Sequence, residues 1–206
     1  MTSTNKTNAA NKIVLASNNQ KKVAELSAYL PAELEVLTLA ALGIESPEET
    51  GTTFVENAII KARHASQLSG LPAIADDSGL EVDYLQGRPG IYSARFAGEG
   101  ATDADNTTHL LAAMKQAAPA ERRACFRCVI VMMRHALDPM PLIASGSWYG
   151  QILKAPQGTQ GFGYDPVFFD PALGRAAAEL DSTEKNQVSH RGKALRALQE
   201  AWLTHD

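Results

Sequence analysis

The sequence predicts an α/β fold built around a mixed β-sheet. Short apolar runs of strand character alternate with segments whose apolar residues recur at helical spacing, over nearly the whole chain. The helical segments are separated by caps, glycines and prolines, so each reads as a discrete element. With 45% hydrophobic and 20% charged residues in 206, there is apolar material for one sizeable core without disulfides or a structural metal.

Residues 1–11 are polar and read as a frayed tail before the first strand at 13–16. A helix is predicted over 22–30, with Val23, Leu26 and Leu30 on one face and Pro31 as its stop. A strand at 35–39 and a polar turn at 48–51 follow. Thr53-Phe54-Val55-Glu56 fits a capping box, and its helix should run to about Leu68, ended by Gly70 and Pro72. A brief strand at 73–75 leads into Asp76-Asp77-Ser78-Gly79, and 87–100 is a glycine-rich ordered loop. Beyond it come a helix at 103–114 and a strand pair at 124–133 and 142–148, joined by a turn around Pro139 and Pro141. A short strand at 167–169, a cap at Asp181 with Glu184, and a C-terminal helix at 192–203 through Leu195, Leu198 and Trp202 complete the reading.

The net charge of −4 argues against a broad nucleic-acid footprint, although a few lysines can still focus a field on a phosphate. No apolar run is long enough to span a bilayer, and the polar N-terminus lacks a signal core, so a cytoplasmic location and no membrane partner are expected. The two cysteines, Cys125 and Cys128, lie in a strand-like stretch. Residues three apart on a strand point to opposite faces, so the pair reads as two reduced core thiols rather than a zinc half-site.

Five polar segments offer chemistry. Ser17-Asn18-Asn19-Gln20-Lys21-Lys22 joins a strand to a helix, where free N–H groups and the positive end of the dipole suit a phosphate. It has no Walker-type pattern, and alone it also reads as an ordinary βα turn. Asp76 and Asp77 are placed at a strand end, where adjacent carboxylates repel unless a cation compensates; the segment reads either as such a cation site or as an Asp-rich turn capped by Gly79. Mg²⁺ takes one or two carboxylates together with phosphate oxygens. Glu48-Glu49-Thr50-Gly51 precedes a helix on which Asn57 and Lys61 share a face; it reads either as a second carboxylate with a phosphate-reaching lysine or as a solvated turn. Gly161-Phe162-Gly163-Tyr164-Asp165-Pro166 is either a stacking platform for a base or a tight turn with an aromatic in the core. Lys185, with Ser189-His190-Arg191-Gly192 opening the last helix, offers polar groups for an anion or a carbonyl, or simply caps the helix.

Together with Thr53-Phe54-x-Glu56-Asn57-Ala58 and Pro89-Gly90-Ile91-Tyr92-Ser93-Ala94-Arg95, these segments resemble, in order and spacing, the inosine triphosphate pyrophosphatase or Ham1-like family, in its bacterial dITP/XTP branch. The resemblance runs from about Lys12 to Leu203. Bacterial members often have glycines where this chain has Asn18 and Lys21. The resemblance implies an elongated mixed sheet with helices packed around it, in a single domain over 12–206 whose two lobes flank a cleft, and it implies a homodimer. It implies that Ser17, Asn19 and Lys22 hold a triphosphate with help from Lys61, in a substrate-binding loop that includes Asn18, Gln20 and Lys21. Asp77 is then the metal ligand and water-activating base, with Asp76 beside it and Glu48 or Glu49 completing an Mg²⁺ site. Ser78, Phe162, Gly163, Tyr164, Asp165, Lys185, His190 and Arg191 bind the nucleotide and its base.

The reaction so implied converts ITP, dITP or XTP to the monophosphate and pyrophosphate. Water attacks the α-phosphorus, Mg²⁺ and lysines stabilise the growing charge, and a carboxylate takes the water's proton. A pocket of donors, Arg191 among them, would favour a 6-oxo purine over adenine. The alternatives are a Maf-like pyrophosphatase of other base preference and a non-catalytic nucleotide-binding regulator.

Overall fold

The computed structural model describes residues 11–17 and 19–203, and at position 21 the backbone alone. The expected tail at 1–11 lies outside the described residues except for Asn11, whose carbonyl already accepts the Glu35 N–H at 2.6 Å. Asn18 and the Lys21 side chain also lie outside them.

Among the described residues, seven strands form one mixed sheet: β1 (Lys12–Leu15), β2 (Glu35–Thr38), β3 (Ala73–Val82), β4 (Arg123–Met133), β5 (Leu142–Ile152), β6 (Phe168–Asp170) and β7 (Arg175–Ala176). Their order across the sheet is β2-β1-β3-β4-β5-β6-β7. β1 pairs in parallel with β2 and β3, whereas β6 pairs antiparallel with β5 and β7. Among the described residues, five α-helices accompany it: α1 (Gln20–Ser27), α2 (Phe54–Ser69), α3 (Asp103–Ala113), α4 (Ser182–Val188) and α5 (His190–Leu203).

The chain divides into two compact units: one holds Met1–Asp77, Val129–Ala144 and Leu195–Asp206, the other Ser78–Cys128 and Ser145–Ala194. In the first, α2 meets the strands through Ala58, Ala62 and Ala65, all fully buried with Val14, Leu39, Ala73, Val131 and Met133. Small side chains at that spacing let the helix backbone lie close to the sheet. The predicted capping box holds, since Thr53 accepts the Glu56 N–H and Glu56 reaches back to the cap, and Gly70 ends the helix in the left-handed region. The second unit has an aromatic core in which Phe126, Trp148 and Phe168 pack with Leu80, Leu110 and Tyr164.

The structure corrects several expected boundaries. β3 does not stop at Ala75 but continues to Val82, so Asp76 and Asp77 lie within the strand. On the β1 side the parallel register ends at Leu15 opposite Ile74, and β3 runs on beyond it. The 87–100 loop contains a 3-10 turn at Gly90–Arg95. β5 runs past Trp148 to Ile152, α1 ends at Ser27, and α5 begins at His190. Its start is docked closely on β5: a Cβ on Gly146 would lie 2.6 Å from the Ala194 nitrogen. Cys125 and Cys128 are buried and not disulfide-bonded, as expected, and burial pushes the Cys125 thiol up.

Candidate active site

In the first unit the predicted residues form two lysine–carboxylate pairs. Successive strand residues point to opposite faces, so Asp76 and Asp77 each need a separate partner. Lys22, in the first turn of α1, places its Nζ 3.0 Å from Asp76 Oδ2. Lys61, near the middle of α2, places its Nζ 2.9 Å from Asp77 Oδ1 and 3.0 Å from Glu49 Oε1. The repulsion expected of adjacent carboxylates is thereby answered by two cations, which is why the strand passes through them.

Asn19 organises the loop before α1: its side-chain oxygen accepts the Lys22 N–H at 3.3 Å, and its own N–H donates to Ser17 Oγ at 3.2 Å. Gln20 opens the helix and is exposed. Asn57, which the sequence marks for sharing a face with Lys61 and as part of the motif at 53–58 but assigns no role, lies beside the Lys61–Asp77 pair. It is buried, donates to Asp77 Oδ2 at 3.4 Å, and accepts the Gly51 N–H at 2.8 Å. A Cβ on Gly51 would lie 2.6 Å from Asn57 Oδ1, so the glycine is what lets the Glu48–Gly51 turn approach α2. Of the two glutamates, Glu49 meets Lys61 while Glu48 is exposed.

Burial pushes Asp77 above its ordinary range, and the Lys61 ammonium only partly offsets it. Burial works against the Lys61 charge, but Asp77, Asp76 and Glu49 outweigh it and hold that ammonium above its usual value. The result is a charged lysine beside a carboxyl moved toward the range useful to a general base. Among the described residues, no group of three or more His, Cys, Asp or Glu is poised to cage a metal. The donors near Lys61 are carboxylate oxygens from Asp77 and Glu49. That set fits a hard cation such as Mg²⁺, which keeps waters and substrate phosphate oxygens as its other ligands.

In the second unit Lys185, Arg191 and Asp165 gather about Phe162. Lys185 Nζ lies 4.8 Å and Arg191 Cζ 5.7 Å from the ring centroid. Lys185 donates to Asp165 Oδ2, which also accepts the Phe162 N–H at 2.8 Å. Arg191 Nη2 donates to Ser78 Oγ at 3.0 Å. The His190 ring stacks on Phe126 at 4.8 Å and 11°. Tyr164, expected at the nucleotide, packs in the core: its ring is buried and its hydroxyl donates to the Ser93 carbonyl at 2.8 Å. The aromatic-in-the-core reading therefore applies to Tyr164, while Phe162 is left half-buried.

Fold and site together describe a nucleotide-directed α/β protein, with charge for phosphate in one unit and an aromatic ring among cations in the other. Comparison with known proteins agrees. The family model described as Ham1 family matches residues 13–201. A dITP/XTP pyrophosphatase of Erwinia tasmaniensis is 58% identical over 92% of this chain and 93% of its own length. One of Escherichia coli is 55% identical over 92% of this chain and 97% of its own. A solved HAM1 protein from Coxiella burnetii superposes with a TM-score of 0.88 at 48% identity, covering 94% of this chain and 98% of that one. The chain belongs to the Ham1 family.

Proposed function

We infer that the chain hydrolyses non-canonical purine nucleoside triphosphates (ITP, dITP and XTP) to the monophosphate and pyrophosphate. The observation that carries this reading is the pair of consecutive buried carboxylates on β3, each held by its own lysine. The relatives' printed activity, dITP/XTP pyrophosphatase, supports it. Neither the Maf-like nor the non-catalytic reading has such support.

In this account Asp77 accepts a proton from the attacking water. The new bond forms between the water oxygen and the α-phosphorus, and the bond from that phosphorus to the bridging oxygen breaks, releasing pyrophosphate. Lys22 and Lys61 offset the charge that grows on the phosphate oxygens. Ser17, Asn19 and the N–H groups at the start of α1 hold the phosphate chain. Asp77 and Glu49 would hold Mg²⁺, which supplies Lewis-acid stabilisation of the phosphoryl oxygens when bound. On the base side, Phe162 offers an aromatic face, and Arg191 and Lys185 offer donors only. A 6-oxo group accepts from such donors, whereas the 6-amino group of adenine leaves them unmatched, at about 1–3 kcal/mol per buried mismatch.

The proposal extends to Mg²⁺ dependence, a homodimer and a cytoplasmic setting. Among the described residues, no helix is long and apolar enough to cross a membrane. Pyrophosphate release from ITP measured across an Mg²⁺ titration tests the metal requirement, and light scattering on the eluting protein tests the dimer. Full release in excess chelator, or a monomeric mass, contradicts the corresponding part.

A further inference from the structure

The Phe162 loop takes its path through two glycines. Gly161 and Gly163 flank the ring, with φ of 78° and 61°, in the left-handed region that glycine enters freely. Yet the Gly163 peptide is held at both ends by α3. Asp103 Oδ2 accepts its N–H at 2.8 Å, and Thr107 Oγ1 donates to its carbonyl at 3.3 Å. The two residues stand four apart on one helical face. Capping does not account for Asp103, because Thr102 and Asp105 close the α3 N-terminus with a capping box of their own.

The segment Pro89–Arg95, conspicuous in the sequence but without a role so far, completes the frame. Ser93 accepts the Leu80 N–H at 2.9 Å through Oγ and the Tyr164 hydroxyl through its carbonyl. Asn106 of α3 donates to the Ala94 carbonyl at 3.0 Å and accepts the Ala97 N–H at 2.8 Å. Gly163 and Tyr164 are thus fixed to α3 and to this segment, and Phe162 is the adjoining side chain turned out of the core.

We propose that Asp103 and Thr107 are positioning residues for base recognition: they fix the Gly163 peptide and so hold the Phe162 ring where the purine is read. The proposal rests on the reading of Phe162, Lys185 and Arg191 as the base site. Freed of the clamp, the loop keeps the Phe162–Asp165 bond but must give up more freedom at Gly163 when the nucleotide binds, a cost that weakens binding rather than chemistry.

The test compares wild type with Asp103→Ala, Asp103→Asn and Thr107→Val. It reads KM and kcat for ITP and the amide hydrogen exchange of 161–165. Asp103→Ala is expected to raise KM about tenfold while kcat changes by less than about threefold, as for loss of one charge-assisted hydrogen bond. Exchange at Gly163 should speed up in the same variant. Asp103→Asn keeps an oxygen acceptor and should restore most of both, and Thr107→Val should raise KM about threefold. A wild-type KM and exchange rate in Asp103→Ala, a fall in kcat at constant KM, or an Asn variant as impaired as the Ala variant overturns the proposal. If wild type releases no pyrophosphate from ITP, the functional reading fails instead, and the exchange rates still decide whether the clamp exists.

Discussion

Lys61 and Asp77 meet at 2.9 Å, a lysine from the middle of a helix against a carboxylate from the middle of a strand. Burial holds the Asp77 carboxyl above its ordinary range despite that ammonium. A carboxyl raised in the folded state contributes fully to stability below the unfolded value of about 4, and that contribution is lost as pH rises through the raised value. Asp77→Asn removes this loss. Because an amide cannot accept the water's proton, the variant is expected to release pyrophosphate about 10²–10⁴-fold more slowly. Its melting temperature should match wild type in acid and exceed it at alkaline pH. A melting temperature that falls below wild type as pH rises contradicts the sign.

Glu49 and Glu48 separate by geometry. Glu49 shares the Lys61 ammonium with Asp77, and Glu48 is exposed. Glu49→Gln should raise the Mg²⁺ concentration needed for half-maximal rate by about tenfold or more. Glu48→Gln should leave it within about twofold, as expected for an exposed substitution. An Mg²⁺ titration of each variant decides it; equal effects would place both carboxylates at the metal.

Arg191 donates to Ser78 Oγ and lies against Phe162. Arg191→Ala should narrow the preference for ITP over ATP by about 10-fold or more, the equivalent of one lost donor to the 6-oxo group. Competition between the two substrates in one reaction measures the ratio directly. An unchanged ratio would remove Arg191 from base selection.

Arg122 is buried, and its guanidinium donates to the carbonyls of Ile152 at 2.6 Å, Met114 at 3.0 Å and Leu153 at 2.8 Å. It thereby joins the end of α3 to the end of β5. Arg122→Ala leaves three carbonyls without their donor and should cost about 3–5 kcal/mol, or roughly 10 °C in melting temperature. A calorimetric scan checks it, and a shift below about 2 °C would mean that water replaces the guanidinium at little cost.

Local signals were legible in the sequence and remote ones were not. The capping boxes at Thr53 with Glu56 and at Asp181 with Glu184 are set by residues three apart, and both are present. Lys22 and Lys61, the partners of Asp76 and Asp77, stand far from them in sequence, so the sequence alone reads as ending the strand where its charges begin. β7 has two residues, too few to show a period. Glu48 and Glu49 are chemically alike, and only the Gly51–Asn57 contact orients the turn that separates them. Tyr164 and Phe162 are likewise neighbouring aromatics, and the Ser93 carbonyl that takes the Tyr164 hydroxyl is seventy-one positions away. The family resemblance names the candidate residues, and the folded chain shows which of them pair.

Pyrophosphate release from ITP, XTP, dITP, GTP, ATP and dTTP, with Mg²⁺ and in excess chelator, for wild type and Asp77→Asn, decides whether this chain is a hydrolase of non-canonical purine triphosphates. The account predicts metal-dependent release from ITP, XTP and dITP, little from the others, and almost none in the variant. Release mainly from dTTP, or none from any substrate despite tight ITP binding, would contradict it.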